Sequence, residues 1–322
     1  MATSPLSVTT SLHTFSLSLP KQSKPFLVSP QSQVAYKRFD RSFGLRNDSF
    51  IHQDFQRSNV GSTRAGRFGG ALTATPKKKV EVFDAEEDLA TSLANYVVDL
   101  SAKFVKQRGA FSIALSGGSL IQSLRKLVEP PFIDSIEWSK WHIFWVDERV
   151  VPKDHVDSNY KLAFDGLLSK VPILLSNVYP INDALSAERA AEDYETRLKS
   201  LIYTKVIDTS PVSGLPKFDL ILLGMGPDGH VASLFPGHPL VKEQQKWVTY
   251  IKDSPKPPPQ RITFTFPLIN AANNIALVVS GSAQANAVRD ALRKSQISET
   301  LPVKMVSPEG ELKWFLDNDA AF

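Results

Sequence analysis

Three short apolar runs in this chain end in the same manner. Phe111–Leu115, Phe218–Leu223 and Asn274–Val279 lead directly into Ser116-Gly-Gly-Ser119, Gly224-Met-Gly226 and Ser280-Gly-Ser282. Short runs of this kind read as strands buried on both faces, as in a parallel sheet. A fourth run over 142–146 enters the charged triplet Asp147-Glu-Arg149. Between the strands lie helical patterns over 84–106, 119–128, 159–168, 187–201 and the stretch ending at Leu292. The first places Leu89, Leu93, Tyr96, Val97, Leu100 and Phe104 on one face, with Glu86, Glu87 and Asp88 at the positive end of its dipole. A further strand is expected over 261–266. This alternation predicts an α/β fold with a mostly parallel sheet covered on both faces.

Charge divides the chain. The formal net charge of +4 is the sum of two unlike parts. Residues 1–75 carry nine Lys/Arg against three Asp, while the remainder carries 28 Lys/Arg against 30 Asp/Glu. The first part holds 17 Ser/Thr before Phe68, and no Glu occurs before Glu81. Serine-rich, arginine-bearing, acid-poor composition is that of an organelle transit peptide, with the Ser/Thr richness pointing to a plastid. We expect cleavage within about 60–76 and the organelle import machinery as its partner. Residues 76–322 then form a single domain. Because that part is slightly acidic, no nucleic-acid partner is expected. No apolar run reaches the roughly 18 residues of a membrane helix. The absence of cysteine excludes disulfides, a thiolate nucleophile and Cys-ligated metal.

The loops after the strands are where an open α/β sheet binds ligands. Ser116-Gly-Gly-Ser119 can converge its amides on an anion, or simply make a tight turn. It is neither a dinucleotide fingerprint nor a P-loop. Asp147 and Arg149 are either site residues or a solvated strand end. Asp228 and His230 flank Gly229, and a carboxylate beside a histidine fixes its tautomer and raises its basicity. His238 has no further ligands at metal spacing, so no metal is expected. His142 and His155 read as structural. Lys256 and Arg261, in and after a proline-rich loop, are either solvated cations or a cationic arm. No G-x-S-x-G elbow is present, so hydrolysis would use water activated by a base.

Taken together, Leu115-Ser-Gly-Gly-Ser119, Trp145-Val-Asp-Glu-Arg149, Val151-Pro152, Ser158-Asn159, the stretch 223–238, Arg261-Ile-Thr-Phe264 and Trp314-Phe-Leu-Asp317 resemble the 6-phosphogluconolactonase family. The wider group includes the glucosamine-6-phosphate isomerase/deaminases. Arg149 after the Asp-Glu pair and Ser233-Leu-Phe-Pro236 after the histidine loop look like the lactonase branch. The resemblance implies a three-layer sandwich with a Rossmann-like sheet, no cofactor, and hydrolysis of 6-phospho-D-glucono-1,5-lactone. It implies His230 as base, with Asp228 or Asp147 orienting it and Arg149 on the oxyanion or the phosphate. Ser116, Gly117, Gly118, Ser119, Asn159, Lys256 and Arg261 would hold the substrate and its phosphate. An amino-sugar-phosphate deaminase and a non-catalytic sugar-phosphate binder are the alternatives.

Overall fold

The computed structural model describes Met1, residues 78–293 and residues 301–322. Contacts divide the chain into residues 1–69 and 70–322, and the fold concerns the second unit alone. The segment expected to be a transit peptide, 1–75, lies outside the described residues apart from Met1.

Six strands make one parallel sheet: β1 (Lys78–Phe83), β2 (Phe111–Leu115), β3 (Trp141–Trp145), β7 (Leu220–Leu223), β10 (Asn274–Val279) and β11 (Glu311–Asp317). Their order is β1-β11-β10-β7-β2-β3. A second, antiparallel sheet runs β4-β9-β8, from β4 (Asp147–Arg149), β8 (Val248–Ile251) and β9 (Arg261–Phe264). β5 (Asp208–Thr209) and β6 (Pro216–Lys217) form a small hairpin. The helices are α1 (Glu86–Arg108), α2 (Ser119–Ser123), α3 (Phe132–Ser135), α4 (Asn159–Gly166), α5 (Ala187–Tyr203), α6 (Phe266–Asn270), α7 (Ala285–Leu292) and α8 (Asn318–Ala321).

Successive side chains of the central strands serve opposite layers. Ile113, Leu115, Leu220 and Leu222 pack with α1, α2 and α4 in one apolar cluster. Ala114, Ile221, Leu223, Ile275 and Leu277 pack with α5, α7 and β9 in the other. Both faces are therefore covered, which is why these strands are largely apolar. Each such buried Leu or Ile side chain contributes about 1.5–3 kcal/mol of transfer free energy. β2 continues to β3 on one side, whereas β7, its other neighbour, continues to β10 on the far side. The carboxyl ends of β2 and β7 therefore flank a topological switch point, where open sheets leave a crevice.

Three expectations change. The helix over 119–128 is two pieces, α2 and a 3-10 turn at Arg125–Val128. The triplet Asp147-Glu-Arg149 is itself a strand rather than a loop, paired with Arg261–Thr263. The strand beginning at Arg261 belongs to that second sheet and ends at Phe264, because α6 begins at Phe266 with Pro267 in its first turn.

One buried ion pair ties the far ends of these elements. Arg108, in the last turn of α1, pairs with Asp219, which also accepts from the Ser112 amide (2.8 Å) and hydroxyl (2.9 Å). The Asp219 side chain is fully buried. Replacing it by alanine leaves the Arg108 guanidinium without its counter-charge and two Ser112 donors without their acceptor, so Asp219→Ala is expected to cost about 3–5 kcal/mol in urea unfolding.

Candidate active site

A cavity of about 230 Å³ lies at the carboxyl ends of β2 and β7, walled by their loops and by residues of β4, α4 and β9. After β2 come Ser116, Gly117, Gly118 and Ser119; beside β3 come Asp147, Arg149 and Asn159; after β7 come Gly224, Met225, Gly226, His230 and Ala232. Arg261 and Gln284 complete the lining.

The β7 loop folds back on itself. Gly229 N–H donates to the Gly226 carbonyl (2.9 Å), and Gly226 N–H donates to the His230 carbonyl (3.0 Å). That closure brings the Asp228 carboxylate 2.6 Å from His230 Nδ1. A Cβ on Gly226 would collide with the imidazole and sit 2.7 Å from Asp228 Oδ1, so only glycine leaves room for the pair. Phe235, its centroid 4.6 Å from the imidazole, walls the other side. With Nδ1–H donating to the carboxylate, Nε2 carries the lone pair. Burial holds the imidazole below its ordinary pKa, and the Lys256 charge adds to that. The Asp228 hydrogen bond and charge and the Asp147 charge oppose it. For Asp228 itself, burial pushes the pKa up, but the hydrogen bond from His230 and the charges of His230 and Lys256 win and hold it low.

Asp147 is buried and engaged elsewhere: Ser233 Oγ donates to its carboxylate at 2.8 Å. Of the two carboxylates left open as partners of His230, Asp228 is the one in contact. Arg149 donates to the Asp157 carbonyl at 2.6 Å, while its buried Nε has no partner among the described residues. Arg261 faces Arg149 across the strand pair. It is almost wholly buried and spends its donors on the Pro258 (3.0 Å), Lys256 (2.8 Å) and Pro257 (3.0 Å) carbonyls. Lys256 is not part of the cavity lining; its Nζ lies 3.4 Å from Asp228 Oδ1.

The β2 loop approaches Asn159 so closely that a Cβ at Gly117 would overlap the amide. Gly118 has φ +70, which suits glycine and turns the chain into α2. Because α2 is only five residues long, an anion here would rely on loop amides more than on a helix dipole. Ser116 Oγ and Asn159 Oδ1 are buried at this point without a partner among the described residues.

Glu148, Ser233 and Gln284 were not among the site residues expected from the sequence. Glu148 is 1% exposed and accepts from the Arg149, Asn159 and Tyr160 amides, each at 2.7 Å. Burial nevertheless pushes its pKa up to about 7. It fixes Asn159 beneath Gly117 from outside the cavity. Gln284 follows the Ser280-Gly-Ser282 turn after β10, a strand end marked in the sequence, but the glutamine carries no charge to single it out.

Among the described residues no three or more His, Cys, Asp or Glu are grouped to hold a metal ion, and no helix is long and apolar enough to cross a membrane. The cavity thus offers a neutral imidazole on one wall and an amide-rich loop with two guanidinium groups on the others. Such a site can hold an anionic substrate and take a proton from water.

Comparison with known proteins places the chain among relatives of one family. Residues 84–314 match the family described as glucosamine-6-phosphate isomerases/6-phosphogluconolactonase. "Probable 6-phosphogluconolactonase 4, chloroplastic" of Oryza sativa subsp. indica is 58% identical over 293 residues, 90% of each chain. "6-phosphogluconolactonase 3, chloroplastic" of Arabidopsis thaliana is 62% identical over 245 residues, 76% of this chain and 75% of that one. The solved 6-phosphogluconolactonase of Trypanosoma brucei superposes with a TM-score of 0.66 at 27% identity, covering 77% of this chain and 98% of that chain.

Proposed function

The chain belongs to the family of glucosamine-6-phosphate isomerases and 6-phosphogluconolactonases, and we propose that its lactonase reaction runs through His230 as general base. The reaction is hydrolysis of 6-phospho-D-glucono-1,5-lactone to 6-phosphogluconate, a step of the oxidative pentose phosphate pathway, in the chloroplast. The observation that carries the mechanism is the His230–Asp228 contact of 2.6 Å on a wall of the cavity.

The amides of Gly117 and Gly118, with the Ser116 and Ser119 hydroxyls, hold the phosphate, and Asn159 shapes that loop. Arg149 and Arg261 supply positive charge along the cavity. With the phosphate fixed, the lactone carbonyl is presented to the imidazole, which lowers the entropic barrier. His230 Nε2 takes a proton from water as its oxygen attacks C1. The ring oxygen leaves as the tetrahedral intermediate collapses, and the imidazolium returns the proton to it. Asp228 stabilises the charged imidazolium between these steps. Arg149 or loop amides stabilise the oxyanion. Residues 1–75 act as the transit peptide and engage the organelle import machinery.

The test is lactone hydrolysis by the purified enzyme as a function of pH, with the spontaneous reaction subtracted. A base works when unprotonated, and the folded environment lowers the His230 pKa. Log kcat/KM is therefore expected to rise with slope one and level off through a pKa below the ordinary histidine value of about 6.5. A limb above that value would mean that a different group limits the reaction. Release of ammonia from glucosamine-6-phosphate would favour the deaminase reading instead.

A further inference from the structure

We propose that Lys256 is a positioning residue for the base: its ammonium holds the Asp228 carboxylate on His230 Nδ1, delivered there by a proline-rich loop that Arg261 fixes. This rests on the reading of His230 as the general base.

The geometry places Lys256 beside the dyad. Its Nζ lies 3.4 Å from Asp228 Oδ1, the oxygen that also contacts Nδ1. The same Nζ is 3.5 Å from His230 Nδ1. Because Nδ1 carries the proton given to the carboxylate, the ammonium cannot donate to it. It acts on the ring through space, as a like charge to any imidazolium. None of the four residues 116–119 accepts from Lys256, and its side chain is not part of the cavity wall.

What brings it there is Arg261. One guanidinium takes the carbonyls of Lys256, Pro257 and Pro258, so three consecutive residues are pinned to a side chain anchored on β9. The fourth bond, to Ser233 Oγ at 3.4 Å, joins the same group to Asp147 through Ser233. Ser254 Oγ closes the loop from the other side by donating to the Lys256 carbonyl (2.8 Å). A residue on a long loop thereby reaches the dyad with a fixed backbone and only its own side chain free.

Two effects on catalysis follow. The ammonium keeps Asp228 ionised and oriented, which fixes the productive tautomer. It also opposes protonation of His230, alongside burial and against Asp228 and Asp147, the other charged groups that bear on the ring. More of the enzyme then carries a free base in mildly acidic solution.

The test compares Lys256→Gln with Lys256→Arg in the full-length chain. Removing a charge at this distance, in a partly solvated site, is expected to move the acid limb of kcat/KM upward by about half to one pH unit. Lys256→Arg, which keeps the charge, is expected to restore the wild-type limb. Titration of the His230 ring by NMR in the free enzyme should show the same shift without any substrate. An acid limb that stays at its wild-type position in Lys256→Gln overturns the proposal, whatever happens to KM; a tenfold rise in KM with a fixed limb would return Lys256 to the phosphate. His230→Ala tests the premise separately: if that variant stays active, the base assignment fails. If it is inactive and the Lys256→Gln limb is unmoved, only the role of Lys256 fails.

Discussion

Replacing His230 by alanine is expected to lower kcat for lactone hydrolysis by about 10²–10⁴-fold, the usual contribution of a positioned general base. At about 1.4 kcal/mol per tenfold, that is some 3–5 kcal/mol of transition-state stabilisation. KM should change little, because the phosphate loop at 116–119 and the arginines at 149 and 261 remain. Folding should survive, since the imidazole is partly exposed and the loop is closed by main-chain bonds between Gly226 and Gly229 and between Gly226 and His230. The measurement is kcat at saturating lactone with the spontaneous rate subtracted, beside a urea melt on the same preparation. Turnover within a few-fold of wild type, in a variant that melts normally, would remove His230 from the reaction. The chain has no cysteine to take its place, and His142 and His155 are engaged elsewhere, with Tyr179 Oη (3.1 Å) and the Asp157 amide (3.2 Å).

The interior of the fold was plain in the sequence where burial alone dictates residue type. β2, β3, β7 and β10 are mostly apolar runs because both faces are covered, and α1 shows its stripe because only one face is. β1 and β11 were harder. Lys78–Phe83 and Glu311–Asp317 mix charged and apolar residues: β1 is an edge of the sheet with four of its six residues exposed, and β11 beside it leaves Glu311, Lys313 and Asp317 only partly buried. Asp147-Glu-Arg149 was hardest. Its charges are acceptable in a strand only because Ser233, the Asn159 amide and the Asp157 carbonyl arrive from elsewhere to meet them. The same distinction governs the site. Asp228 and His230 are two residues apart and their contact is local, so the motif offered Asp228 as a partner, but it left Asp147 as the alternative until the 2.6 Å contact was seen. Lys256 reaches them from 28 positions away in the chain. Its destination is set by Arg261, whose bonds to the loop carbonyls no residue pattern encodes.

Asp228→Asn carries the second large effect, and its comparison with Asp147→Asn decides which acid serves the histidine. An asparagine at 228 fills the same space but offers both a carbonyl and an N–H to Nδ1. When the N–H donates, the proton moves to Nε2 and the base is lost. When the carbonyl accepts, the tautomer is right but no charge stabilises the imidazolium, and Lys256 loses its ion pair. Both outcomes lower kcat, by about 10²-fold or more, toward the roughly 10⁴-fold reached when the acid behind a triad histidine becomes its amide. The limb should also move down in pH, because the charge that favours imidazolium is gone. That is opposite in sign to Lys256→Gln, so the two variants report on the two sides of one carboxylate. Asp147→Asn keeps a carbonyl for the Ser233 hydroxyl and leaves the His230–Asp228 contact in place, so its loss of kcat should be smaller. If Asp147→Asn instead costs more than Asp228→Asn, the contact at 2.6 Å does not identify the working partner of His230.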